Sequence, residues 1–154
     1  MGIELDESSI IKANLQFWEQ MLAMELDPLP WADQFRLESG HVLGIVGLSG
    51  AWNGRVEIRM DEGLTNLATA AMLMEPVDAV VEADALDATR EIANIIAGAI
   101  KSSLPRPCAM TLPEATFKLE QFCSQMRSED SVSVVFHHAA GRMMVRVQML
   151  EPVG

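Results

Sequence analysis

Set about 100° apart, residues 87–101 separate into two unlike faces. Ile92, Ile96, Ala99 and Ile100, flanked by Thr89, Ala93 and Ser103, form a broad, mostly apolar arc. Asp87, Glu91, Asn94, Gly98 and Lys101 fall at i, i+4, i+7, i+11 and i+14 and line a narrow stripe opposite. A helix patterned this way must bury its arc against other elements, so the remaining chain has to supply a surface for it. The outward stripe needs only water. Yet it holds an Asn in mid-helix and, one turn on, a Gly. Both are poor helix formers, Gly costing about 1 kcal/mol relative to Ala. Two mild departures from propensity on one exposed stripe mark it as a candidate working surface.

The surface for that arc is predicted to be a sheet. Residues 41–49 form a compact apolar run, 50–54 supply turn chemistry, and 55–60 alternate polar with apolar, which reads as a hairpin with one covered face. Residues 131–136 and 142–148 form a second hairpin about Ala139, Ala140 and Gly141. A first helix, capped by Ser8 or Ser9, runs to about residue 24 with Ile10, Ile11, Phe17, Trp18, Met21 and Leu22 at helical spacing. Pro28 and Pro30 stop it. A second helix covers about 62–75, and the helix of the opening paragraph begins at Asp78 or Asp84 and ends near 103. Residues 115–121 are ambiguous, with a short strand one option, and the polar 124–130 read as a loop.

The order helix, hairpin thus occurs twice, over about 8–60 and 82–150, with the helix at 62–75 as a link. The two halves share short phrases. Gly54-Arg-Val-Glu-Ile-Arg59 resembles Gly141-Arg-Met-Met-Val-Arg146, and Lys12-Ala-Asn14 echoes Ile92-Ala-Asn94. Order and phrases together suggest an old duplication within one 154-residue domain. The first helix has Ile11 where the second has Glu91, so one complete polar site is expected, not two. The fold class expected is α/β (α+β): a largely antiparallel sheet with the long helices packed on one face.

Composition narrows the partners. The formal charge is −11 and no basic cluster stands out, which disfavours nucleic acid and anionic lipid, both held mainly through Lys and Arg. The N-terminus lacks the basic and apolar regions of a signal peptide, and Asp6 spoils the N-terminal acylation pattern. The longest apolar run, 67–74, is too short to span a bilayer. A cytoplasmic protein with no membrane partner is expected. Cys108 and Cys123 are far from any metal-ligand spacing, and His137 and His138, adjacent in a strand, point to opposite faces. No metal site is expected. The eleven methionines read as adaptable core filler before they read as a recognition groove.

The segment Glu91-Ile-Ala-Asn94-Ile-Ile-Ala-Gly98 resembles the Glu-x-x-Asn-x-x-x-Gly signature of the CheC/CheX/FliY chemotaxis phosphatases. Gly44-Ile-Val-Gly47-Leu-Ser-Gly50, followed by Gly54-Arg-Val56, resembles the hairpin of the CheX branch. The single expected site also resembles CheX more than two-site CheC. The likeness runs from about residue 8 to 150 and is least clear over 107–130. It implies a phosphatase acting on the phospho-aspartate of a CheY-type response-regulator receiver, in chemotaxis or a related two-component pathway. It further implies a homodimer joined through sheet edges. No cofactor is implied on this chain, with Mg²⁺ carried by the receiver.

The chemistry suits so small a kit. An acyl phosphate is already activated, and phosphoryl transfer then needs mainly positioning and charge stabilisation. A carboxamide both donates and accepts hydrogen bonds, so Asn94 fits the task of holding a water in line with phosphorus. The charge on Glu91 repels a phosphoryl group, and the resemblance gives it the other role, anchoring on the receiver lysine. Gly98 would let the partner approach the helix closely; a contact inside the fold explains a glycine there equally well. Without the resemblance, Glu91 and Asn94 are an ordinary polar helix face. Two other readings share the fold: a non-catalytic receiver-binding or flagellar-switch-like adaptor, and a domain binding a small ligand between the two long helices.

Overall fold

The computed structural model describes residues 6–29, 40–118 and 131–149. In chain order the elements are α1 (Glu7–Leu22), β1 (Asp27–Leu29), β2 (Val42–Gly50), β3 (Gly54–Met60), α2 (Glu62–Leu73), a 3-10 turn (Val77–Ala79), α3 (Glu82–Lys101), β4 (Cys108–Met110), β5 (Glu114–Thr116), β6 (Ser131–His138) and β7 (Gly141–Met149). The strands form one sheet in the order β1-β6-β7-β3-β2-β4, with β5 also paired to β2. Every pairing is antiparallel. Both predicted hairpins are present, β2 with β3 and β6 with β7. They join through β3 and β7, where Glu57 faces Arg146 and Ile58 faces Val145. The two similar phrases of the sequence therefore lie side by side at the centre of the sheet.

Strand alternation sorts the side chains onto two faces. Val42, Val46, Val56, Ile58, Met60, Phe136, Met143 and Val145 turn toward the helices and form one core with Ile10, Phe17, Trp18, Ile92, Ile96 and Ile100. The helices pack on that one face, as the sequence predicts. The other face is buried as well, and there Leu43, Val135 and Met144 lie beside the fully buried Glu57 and Arg59. Burial pushes the Glu57 carboxyl above the usual carboxylate range, against the opposing pull of Arg55, Arg59 and Arg146. Arg55 Nε lies 3.0 Å from Glu57 Oε1.

Local chemistry shifts some predicted boundaries. The cap of α1 is Asp6, two residues before Ser8 and three before Ser9. Its Oδ1 accepts from the backbone N–H of Ser9 at 3.1 Å and from the hydroxyls of Ser8 and Ser9. These bonds hold the Asp6 carboxyl below its ordinary range. A carboxylate is a stronger cap acceptor than a hydroxyl, and the serines serve as its donors instead. Neither Asp78 nor Asp84 starts α3. Val81 stands at the cap without a side-chain bond, and Glu82 and Asp84 in the first turn are favourably placed at the positive end of the helix dipole.

Three short elements carry no periodic signal and were not foreseen: β1, β4 and the 3-10 turn, each of three residues. β1 and β4 end the described strand path, where single prolines are tolerated. β5 spans Glu114–Thr116 where 115–121 was ambiguous. Residues 119–121 and the expected loop at 124–130 lie outside the described residues.

One glycine fixes how closely α3 sits on the sheet. A Cβ at Gly44 of β2 would stand 3.0 Å from Thr89 Cγ2 and 3.1 Å from Ala93 Cβ. The bare backbone there lets the small-residue side of α3 lie close against β2, which seats the long helix and sets which residues it turns outward.

Candidate functional site

With α3 seated this way, Ala85, Ala88, Thr89, Ile92, Ala93, Ile96, Ala97 and Ile100 are buried. Thr89 has no unmet need inside, since its Oγ1 donates to the Ala85 carbonyl at 2.7 Å. Ser103, placed on the arc from the sequence, lies beyond the helix end and is exposed. The opposite stripe faces out. Asp87, Glu91 and Asn94 are exposed, while Gly98 and Lys101 are half-buried. Glu91 and Asn94 stand about 4.5 Å apart along the axis, at 1.5 Å per residue, and about one turn apart in rotation.

Neither Glu91 nor Asn94 makes a side-chain hydrogen bond or ion pair among the described residues. Their neighbour Asp87 is engaged, paired with Arg90 along the helix. An acid that attracts cations thus stands next to an amide able to donate and accept, and both reach outward with their polar atoms uncommitted.

The echo in α1 is built differently. Asn14 is fully buried, and its Oδ1 accepts from the Trp18 indole N–H at 3.1 Å. Ile11, at the position matching Glu91, is half-buried against the core. The side chain of Asn14 is spent on holding a tryptophan. It offers nothing to a partner.

Gly98 has open space above it: among the described residues, no atom outside the local helix lies within 4 Å of where its Cβ would be. A contact inside the fold, the alternative reading of this residue, does not account for it. Below it, Gly98, Lys101, Arg106 and Pro107 line an open hollow of about 500 Å³. His138 accepts a hydrogen bond at Nδ1 from the Ala140 backbone N–H at 2.9 Å and so belongs to the β6–β7 turn.

Sequence reasoning missed an apolar groove on the other side of Glu91, lined by methionines from α1 and α2. Met60, Met143 and Met144 are the core filler expected, but Met21 and Met74 are large and exposed. The only hint lay in position: both fall at helix ends, where burial is not assured.

The family described as "Chemotaxis phosphatase CheX" matches residues 42–137, which takes in β2, β3 and all of α3. The chain belongs to the CheX family.

Solved structures share its fold across nearly the whole length. Chemotaxis protein CheX from Vibrio vulnificus is 19% identical with a TM-score of 0.77, over 97% of this chain and 99% of that one. CheX in the CheX-CheY-BeF3-Mg complex from Borrelia burgdorferi is 21% identical with a TM-score of 0.72, over 94% and 97%. FliY from Thermotoga maritima is more distant, at 14% identity and a TM-score of 0.61, over 91% and 84%. At such identities these likenesses speak for the fold alone. No curated protein matches the sequence. No helix among the described residues is long and apolar enough to cross a membrane.

Proposed function

We propose that this CheX-family chain hydrolyses the aspartyl phosphate of a CheY-type receiver domain. The observation that carries the reading is the pairing of Glu91 and Asn94. Both are exposed, neither has a side-chain partner among the described residues, and they are one turn apart on a helix whose opposite face is buried in the core. The solved complex of a fold relative with CheY, BeF3 and Mg supports a receiver as the kind of partner such a helix meets.

In this reading α3 enters the receiver's phosphorylated pocket side-on. Asn94 accepts a hydrogen bond from a water and donates another, aligning the water opposite the scissile bond. Water oxygen bonds to phosphorus as the bond to the aspartyl oxygen breaks. The aspartate leaves as carboxylate, and the water's protons pass to the released phosphate and to solvent. Glu91 takes no proton in this scheme; it anchors the pair by meeting a receiver lysine. Mg²⁺ is the receiver's own ion and offsets phosphoryl charge there.

The test is loss of label from autophosphorylated receivers mixed with wild-type chain and with Asn94→Ala. Wild type should clear the label. The variant should lose at least two orders of magnitude in turnover, the usual worth of a positioning group of this kind, while binding the receiver nearly as well. Receiver binding with no turnover by the wild type would instead mark the non-catalytic adaptor. Binding of a small ligand between α1 and α3, indifferent to receiver phosphorylation, would mark the third reading.

A further inference from the structure

Beside Glu91 the surface becomes apolar. The C-terminal ends of α1 and α2 and the first turns of α3 enclose an open groove of about 540 Å³. Met21, Leu73 and Met74 line it while 60%, 48% and 92% exposed. Met74 is not a loose end. It caps α2 in the left-handed conformation, φ 55°, with its backbone N–H held by the carbonyls of Ala70 and Ala71. A large apolar side chain is thus presented to solvent on a fixed support, which lowers the ordering needed on binding. Methionine suits a contact whose shape is set by the partner.

The groove has an acidic wall. Asp84, Asp87 and Glu91 line it from α3. Asp87 is engaged by Arg90, whereas Asp84 and Glu91 make no ion pair among the described residues. Glu91 therefore belongs to this wall and to the Glu91–Asn94 stripe at once.

We propose that the groove docks an apolar side chain of the receiver, on a segment whose neighbouring Lys or Arg meets Asp84 and Glu91. The inference rests on the phosphatase reading and deepens it, naming a second part of the receiver's footprint. Continuity argues for the receiver: a partner that reaches Glu91 on the stripe also covers the mouth of the groove. Charge argues the same way, because two unpaired carboxylates beside an apolar floor favour a cation-flanked apolar residue. An anionic lipid surface is repelled by the same wall.

The experiment measures both turnover and equilibrium binding of one receiver, in wild type and in the double variant Leu73→Ser with Met74→Ser. Both residues are exposed, and the urea midpoint checks that the fold is kept. The expected result is a rise of tenfold or more in KM and in Kd, with kcat within twofold, the reverse of the Asn94→Ala pattern. Asp84→Asn should raise KM at low ionic strength and lose that effect in high salt. KM and Kd unchanged in the double variant overturn the groove proposal and leave the phosphatase reading standing. Loss of self-association in the double variant, with receiver binding unchanged, overturns it in favour of a second copy of this chain. A wild type that binds the receiver without turnover sinks the phosphatase reading, and the Kd comparison then decides the groove alone.

Discussion

Asn14 and Asn94 occupy matching places in the two halves of the chain and do opposite work. Asn14 is walled into the core, its oxygen accepting the Trp18 indole N–H, while its own Nδ2 has no hydrogen-bond partner among the described residues. Asn14→Ala would leave that buried indole donor orphaned, which should cost about 1–3 kcal/mol. For a chain of this size, that is a fall in Tm of about 2–4 °C per kcal/mol. Turnover per folded molecule should be unchanged. Asn94→Ala should show the mirror image, an unmoved melting curve and lost turnover. Calorimetry and label loss on the same two preparations check the pair. A thermally weak Asn94→Ala would mean that the residue serves the fold after all. The missing acid in the first helix gave the sequence reading its single site, but not the buried bond of Asn14 to Trp18. The same Ala-Asn pair stands in both helices, and the residues just before it differ, Lys12 against Ile92 and Ile11 against Glu91.

Elements with a strong period were legible, and those without one were not. α3 announced itself because its apolar arc recurs over nearly six turns. The central hairpins did so through alternation and Gly-rich turns. Three-residue strands such as β4 have too few positions to alternate, and their existence depends on a partner strand rather than on their own residues. The candidate site was legible to the extent that it lies on α3. The groove was not, because it needs the ends of three helices brought together by the sheet beneath them. Gly98 tests the site at this scale. Since no described residue stands where its Cβ would be, Gly98→Ala should stabilise the isolated chain by about 0.5–1 kcal/mol through helix propensity. On the phosphatase reading, the added methyl stands in the path of the receiver, so KM should rise several-fold as stability rises. A gain in stability with unchanged KM would show that the glycine has no part in docking.

At the scale of the whole molecule, the sheet separates two kinds of interior. Its helix side is apolar and carries α3, with the site on the outer surface of that helix. Its other side buries a charged row across the two central strands, with Glu57 opposite Arg146 and next to Arg55 and Arg59. Such a row is a poor source of stability, because removing a carboxylate from water opposes the pairing it gains. Here burial wins, and the Glu57 carboxyl is held above its ordinary value of 4.5. The sign follows directly. A carboxyl that is easier to protonate in the folded state favours folding below the unfolded value, and that contribution is lost as pH rises through the folded one. Relative to Glu57→Gln, the wild-type chain should therefore lose stability as pH climbs from about 4.5. Urea midpoints for both chains across that range check this. Only the slope of their difference matters, since the glutamine also removes the pairing with Arg55. A difference that is flat with pH, or that grows in favour of the wild type, would mean that the arginines dominate. The charged row would then hold the two hairpins together, where the present geometry makes it a strain that the core on the other face absorbs.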